Sequence, residues 1–251
     1  MAIEHFYVDT ELNDDNAYKE AMKFACELAV KNTNIQRVVL LAASKNNVDW
    51  LERAFDSNTV KQLFKGMHFK GCMPLYKLET VKTYKGGFNP QDVVITMAID
   101  DERILPLDDE YSTIAVIAIP WQKRGIQQYL DTWKPVDIRS GQAYVSAIAE
   151  PSGVVKVALG ELSDSINHTT GINNPNDNRN AKTTILALHK YEPVLDADVI
   201  KSYLIGELGW DSGHADDLTK LITTLNNGKS FQGGTRTGLQ HYYKAWKDAC
   251  K

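Results

Sequence analysis

Arg37-Val38-Val39-Leu40-Leu41-Ala42-Ala43 carries no polar side chain after its first residue. A continuous apolar run of this length is the pattern of a strand covered on both faces, and such strands belong to parallel sheets flanked by helices. Working outward, Ile3 to Val8 reads as a preceding strand. Between the two, Asp14-Asp15-Asn16 offers caps to a helix whose Ala17, Met22, Cys26, Leu28 and Ala29 share one face. Downstream, Asn47 to Phe64 is helix-like with a break around Asp56-Ser57-Asn58, and Met73 to Tyr84 is a weaker strand ended by Gly86-Gly87. Asp92 to Ile99 and Thr113 to Ile119 are β-branched and apolar, as central strands are. Gly125 to Trp133 adds a short helix and Pro135 to Ile138 an edge strand.

Strands alternating with helical patterns need crossover connections, so the predicted fold is α/β, a mostly parallel Rossmann-like sheet with helices on both faces. After Arg139-Ser140-Gly141 the strand signal fades. The expected division is an α/β domain over 1–140 and a smaller all-helical domain over 141–251. In the latter, Ser152 caps a helix carrying Val155, Leu159, Leu162 and Ile166, with Gly171 as its terminating glycine. Asn176 or Asp177, inside a stretch with five asparagines in eight residues, caps a helix to Tyr191. Further helices start at Asp196, near Ser212 and at Leu239.

The 251-residue chain is 43% hydrophobic and 24% charged, which excludes a disordered or fibrous protein. Its formal charge of -4 provides no global field for a polyanion, so bulk nucleic-acid binding is disfavoured. Cys26, Cys72 and Cys250 form no Cys-x-x-Cys pair and fit a reducing compartment. The first ten residues lack the n- and h-regions of a signal peptide, and no apolar stretch approaches roughly 18 residues, so a cytoplasmic protein without a membrane span is expected.

In open parallel sheets ligands lie beyond the carboxyl ends of the strands. That rule delivers Asp9 and Thr10 from the first strand and Ser44, Lys45 and Asn46 from the second. Asp100 and Asp101 follow the next central strand, and Trp121 the one after. Carboxylates, a lysine, a serine and an aromatic ring together suit a small polar or nucleotide-like ligand, although Ser44 and Asp100 are equally ordinary helix caps. Arg179, in the first turn of the helix after the Asn-rich segment, is a further candidate ligand-binding residue. No cofactor, metal ligand or catalytic residue is assigned. Asp9 with Asp100 or Asp101 is a carboxylate pair that suggests a metal-dependent phosphohydrolase.

Several signatures are missing. No Gly-x-Gly-x-x-Gly follows the first strand, and there is neither a Gly-x-Ser-x-Gly elbow nor a His-Glu-x-x-His helix. Gly228-Lys229-Ser230 imitates a phosphate loop, but Thr223 stands where its first glycine belongs. The tail is locally basic: Lys229, Arg236, Lys244, Lys247 and Lys251 face Asp248 alone, a charge of +4, interleaved with Phe231, Tyr242, Tyr243 and Trp246. Such a tail either grips a macromolecular partner or docks the last helix on its neighbours.

Overall fold

The computed structural model describes residues 3–11, 14–45, 48 and 51–250. The chain divides into two compact units, Met1–Ser146 and Ala147–Lys251. In the first, β1 (Glu4–Tyr7), β2 (Arg37–Ala42), β3 (Leu75–Thr80), β4 (Asp92–Met97), β5 (Thr113–Ile119) and β6 (Val136–Asp137) form one six-stranded sheet in the order β3-β2-β4-β5-β1-β6. Every pairing is parallel, with Arg37 opposite both Leu75 and Asp92, and Tyr7 opposite Ala118 and Asp137.

The apolar run that decides the fold is buried from Val38 to Ala42. Its alternate side chains Val38, Leu40 and Ala42 join Val93, Ile95, Ala115 and Ile117 in a core covered by α1 (Asp15–Lys31), α2 (Leu51–Ala54) and α3 (Ser57–Lys65). Successive strand residues point to opposite faces, and α5 (Gln127–Trp133) covers the other side. There the His5 ring stacks on Trp133 with centroids 4.2 Å apart, and the buried Tyr129 hydroxyl donates to the Phe6 carbonyl at 3.0 Å.

The helical unit contains α6 (Gly153–Ser165), α7 (Pro175–Tyr191), α8 (Ala197–Gly206), α9 (Ser212–Asn226) and α10 (Leu239–Ala249). Leu159, Leu162, Ile185, Leu188, Leu204, Leu218, Ile222 and Trp246 are buried in it. The Trp210 indole N–H reaches the Ser163 hydroxyl at 2.9 Å and ties the α8–α9 connection to α6. Among the described residues no helix is long and apolar enough to cross a membrane.

Several expectations need correction. The third strand stops at Thr80, because Thr83 turns the chain by accepting the Thr80 amide at 2.9 Å. Asp100 stands at the cap position of a short helix, α4 (Asp101–Ile104), but its side chain makes no capping hydrogen bond. Gly171 does not end α6, which stops at Ser165. Instead it sits at φ +53 where an added Cβ would lie 2.5 Å from the His214 ring, so close packing requires a glycine there. The cap of α7 is Asn174, which accepts the Asn176 amide at 3.0 Å, while Asp177 turns toward the Asn167 amide. The helix expected near Ser212 does begin there, as α9, with Asp211 in the cap position and its carboxylate facing His214 at 3.3 Å. Finally, the cysteines do not all stand apart: Cys26 and Cys72 are joined as a disulfide.

Candidate functional site

All six strands run parallel, so their carboxyl ends share one edge of the sheet. The connection from β2 leads outward to β3, whereas that from β4 leads the other way to β5, and the gap between β2 and β4 is therefore the point where the winding reverses. Ser44 and Lys45 follow β2, and Ala98, Asp100 and Asp101 follow β4. Asn46 lies outside the described residues.

Lys45 borders a cavity of about 290 Å³ with Phe64, Lys77, Leu78, Glu79 and Thr83. Its ammonium lies 5.9 Å from the Phe64 ring centroid. Lys77 is neutralised by Glu79 at 2.6 Å, and Glu79 also accepts from Thr83 at 2.7 Å. Burial pushes the Glu79 carboxyl up, but the Lys77 and Thr83 hydrogen bonds outweigh it and hold it below the usual range. Among the described residues Lys45 meets no carboxylate, so it is a cation available to an anionic ligand.

On the β4 side, Ala98 has a left-handed backbone, φ +54, with its amide donating to the Ile119 carbonyl at 2.9 Å. An alanine in that region is strained, and such strain collects where loops are held for function. Asp100 is exposed and, although at the head of α4, makes no side-chain capping bond. Asp101 is committed elsewhere: its carboxylate accepts the amides of Gln128 (3.0 Å) and Tyr129 (2.8 Å) at the start of α5.

Asp9 and Thr10 belong to a second cluster, at the carboxyl ends of β1, β5 and β6. Asp9 forms an ion pair with Lys123, and that hydrogen bond raises the Lys123 pKa. Thr10 donates to Asp14 at 2.8 Å. Arg139 bridges Asp14 (2.6 Å), Glu20 (2.7 Å) and the Asp9 carbonyl (3.2 Å). Asp137, at the end of β6, accepts the Asp9 amide at 3.1 Å and the Ser140 hydroxyl at 2.7 Å. Burial raises the Asp137 carboxyl, yet these donors prevail and keep it depressed; Asp14 is held low in the same way by Arg139 and Thr10. Trp121, 48% exposed, lies beyond β5.

The predicted residues thus fall into two groups along the edge. Asp9 and Thr10 are tied into a charge network, whereas Ser44, Lys45 and Asp100 follow β2 and β4 with fewer internal partners, Lys45 beside the cavity on the β3 side of β2. Asp9 faces a lysine, not a second carboxylate, and among the described residues no group of three or more potential metal-ligating side chains forms. Arg179 is exposed on α7 in the helical unit and does not belong to this cluster's unit. Sequence reasoning missed Asp137 and Arg139. Applying the carboxyl-edge rule to the short edge strand Pro135 to Ile138, as it was applied to the other strands, would have delivered both.

Residues 151–247 match a family described as a domain of unknown function, DUF1889, and this stretch lies within the helical unit. No curated protein and no solved structure matches the chain.

Proposed function

We propose that residues 1–140 form a Rossmann-like domain that binds a small, phosphorylated or otherwise anionic nucleotide-like ligand at the carboxyl edge of the sheet, beside β2, with residues 141–251 as a separate helical domain. The observation that carries this reading is Lys45, a cation without a carboxylate partner among the described residues, beside a cavity at the carboxyl end of β2. A lysine there supplies charge to a phosphate, and Phe64 supplies an apolar wall. The left-handed Ala98 and the uncommitted Asp100 carboxylate follow β4, the neighbour of β2 at the same edge, where a hydroxyl-bearing ligand finds an acceptor.

The Lys123–Asp9 and Arg139–Asp14 pairs give the reading its scaffold, not its ligand contacts. Their charges are already matched, so they hold the β1 and β6 loops in place. A thermal-shift screen of the whole chain against nucleotides and sugar phosphates tests the proposal, since a ligand that binds only the folded state raises its apparent stability. One phosphorylated class is expected to stabilise the wild type, and Lys45→Ala to abolish that shift without lowering the melting temperature of the free protein. Equal shifts in wild type and Lys45→Ala, or none with any phosphorylated compound at millimolar concentration, would overturn it.

A further inference from the structure

The chain between α9 and α10 is laid along α7. The Thr235 amide donates to the Thr183 hydroxyl at 2.8 Å, and that hydroxyl donates to the Arg179 carbonyl at 2.7 Å. Just before this anchor, Gly233 and Gly234 both have positive φ, +87 and +75. A Cβ on Gly234 would lie 2.9 Å from the Lys182 Cβ and 3.2 Å from its backbone, so no larger residue lets the loop sit this close to α7. Among the described residues the Gly233 and Gly234 amides donate to no acceptor. The Lys182 ammonium lies 5.9 Å from the Phe231 ring centroid, and the Arg236 guanidinium donates to the Phe231 carbonyl at 2.6 Å.

Two glycine amides, an ammonium and a guanidinium therefore lie along one short loop segment that also carries a partly exposed aromatic ring. Among the described residues Arg179, Lys182 and Arg236 have no carboxylate partner, and Arg179 stands one turn before Lys182 on α7. Backbone amides beside paired cations are phosphate chemistry, and a neighbouring ring accepts a stacked base. On α10, Lys244 and Lys247 are exposed and extend the positive charge along the same unit.

We infer that this patch of the helical unit binds single-stranded nucleic acid, with a phosphodiester seated over Gly233–Gly234 between Lys182 and Arg236 and a base on Phe231. An open surface encloses a free phosphate poorly, whereas a strand gains from repeated phosphate and ring contacts. A rigid duplex hides its bases from Phe231. The chain's charge of -4 gives no attraction at long range, so binding depends on these local contacts and weakens with salt.

The experiment is fluorescence anisotropy of labelled single-stranded DNA and RNA, about 15 nucleotides long to match single-strand site sizes, titrated with the full chain. The same sequences as duplexes and inorganic phosphate serve as competitors. Single strands are expected to bind, duplexes to compete weakly, and Arg236→Glu, at an exposed position, to weaken binding about tenfold or more by converting an attractive phosphate contact to a repulsive one. Phe231→Ala is expected to cost roughly fivefold or more, the loss of one stacked base. Circular dichroism of each variant confirms that the helices remain. No binding of either single strand, competition by duplex equal to that by single strand, or undiminished binding by Arg236→Glu would overturn the inference. So would thermal stabilisation by inorganic phosphate without strand binding. The ligand at Lys45 plays no part in this test, so either proposal fails without the other.

Discussion

Arg37 and Asp92 face each other across the amino ends of β2 and β4 in a two-bond ion pair, Nε to Oδ1 at 2.8 Å and Nη2 to Oδ2 at 2.5 Å. Asp92 is fully buried. Its second oxygen also accepts the Tyr84 hydroxyl at 3.1 Å, and the Arg37 guanidinium lies 5.8 Å from the centre of that Tyr84 ring. The pair therefore fixes the register of two central strands and pins the chain that follows β3. Hydrogen bonding to Asp92 raises the Arg37 pKa further above its ordinary value.

Removing the arginine leaves a carboxylate in the sheet without its counter-charge. Arg37→Ala is expected to lose about 3–5 kcal/mol in denaturant unfolding, the usual cost of orphaning a buried charge. The double variant Arg37→Ala with Asp92→Ala is expected to lose less than the sum of the two single changes, because no unpaired charge remains. Additive losses would show that the pair is not coupled.

Local pattern and long-range geometry were unequally visible in the sequence. Val38 to Leu41 announces a doubly covered strand because burial on both faces demands apolar residues without alternation, and Thr113 to Ile119 does the same. The order of the strands leaves no such mark, since β1 pairs with β5 more than a hundred residues away. Asp9, Ser44, Lys45 and Asp100 were legible as one edge, but not that Lys123 would neutralise Asp9 while Lys45 stays without a carboxylate. Those outcomes depend on side-chain reach between loops. Gly171 was misread for a related reason. A glycine after a helical pattern looks like a C-cap, whereas here the approach of His214 dictates it.

The Cys26–Cys72 disulfide links α1 to the loop between α3 and β3, across a sequence separation of 46 and a Cα–Cα distance of 5.7 Å. It borders an apolar groove of about 410 Å³ lined by Met22, Phe55, Phe69 and Tyr76. Closing a loop of this length restricts the unfolded chain, so Cys26→Ser with Cys72→Ser is expected to cost about 2–4 kcal/mol. Reductant should lower the melting temperature of the wild type and leave the double variant unchanged. Thiol titration of the unfolded, unreduced chain should find Cys250 alone, the free exposed cysteine; three reactive thiols would contradict the pairing.

Asp137 makes the β1–β6 edge sensitive to acid. Its carboxyl is depressed in the folded protein because the Ser140 and Asp9 donors outweigh the effect of burial. A group whose folded pKa lies below its unfolded value stabilises fully above the unfolded value, 3.8 for aspartate, and loses that contribution as pH falls through the folded one. Asp14, held low by Arg139 and Thr10, acts in the same direction. Urea midpoints measured from about pH 7 down to about pH 3 should therefore fall most steeply at the acid end. Asp137→Asn should be less stable near neutrality and show a shallower acid slope. An unchanged slope would mean that Asp137 does not carry this linkage.

Whether the basic tail is part of the helical core is decided at Trp246, which is 4% exposed and whose indole N–H donates to Glu161 on α6 at 2.7 Å. Tyr243 donates to Glu192 at 2.8 Å, beyond the end of α7, so α10 is held by two carboxylates as well as by the burial of Leu239 and Trp246. Trp246→Ala removes a large buried ring and is expected to cost about 3–5 kcal/mol. Trp246→Phe keeps most of the apolar contact but strands the Glu161 acceptor, an intermediate loss of about 1–3 kcal/mol. Lys244→Ala and Lys247→Ala, on the exposed side of the same helix, should change stability by less than about 0.5 kcal/mol. Denaturant unfolding followed by far-ultraviolet circular dichroism separates these cases. If the tryptophan and lysine variants proved equally mild, α10 would be an appendage and its aromatic residues would be free for a partner; the contrast expected here assigns Trp246 to the core and leaves the face with Tyr242, Lys244 and Lys247 to solvent.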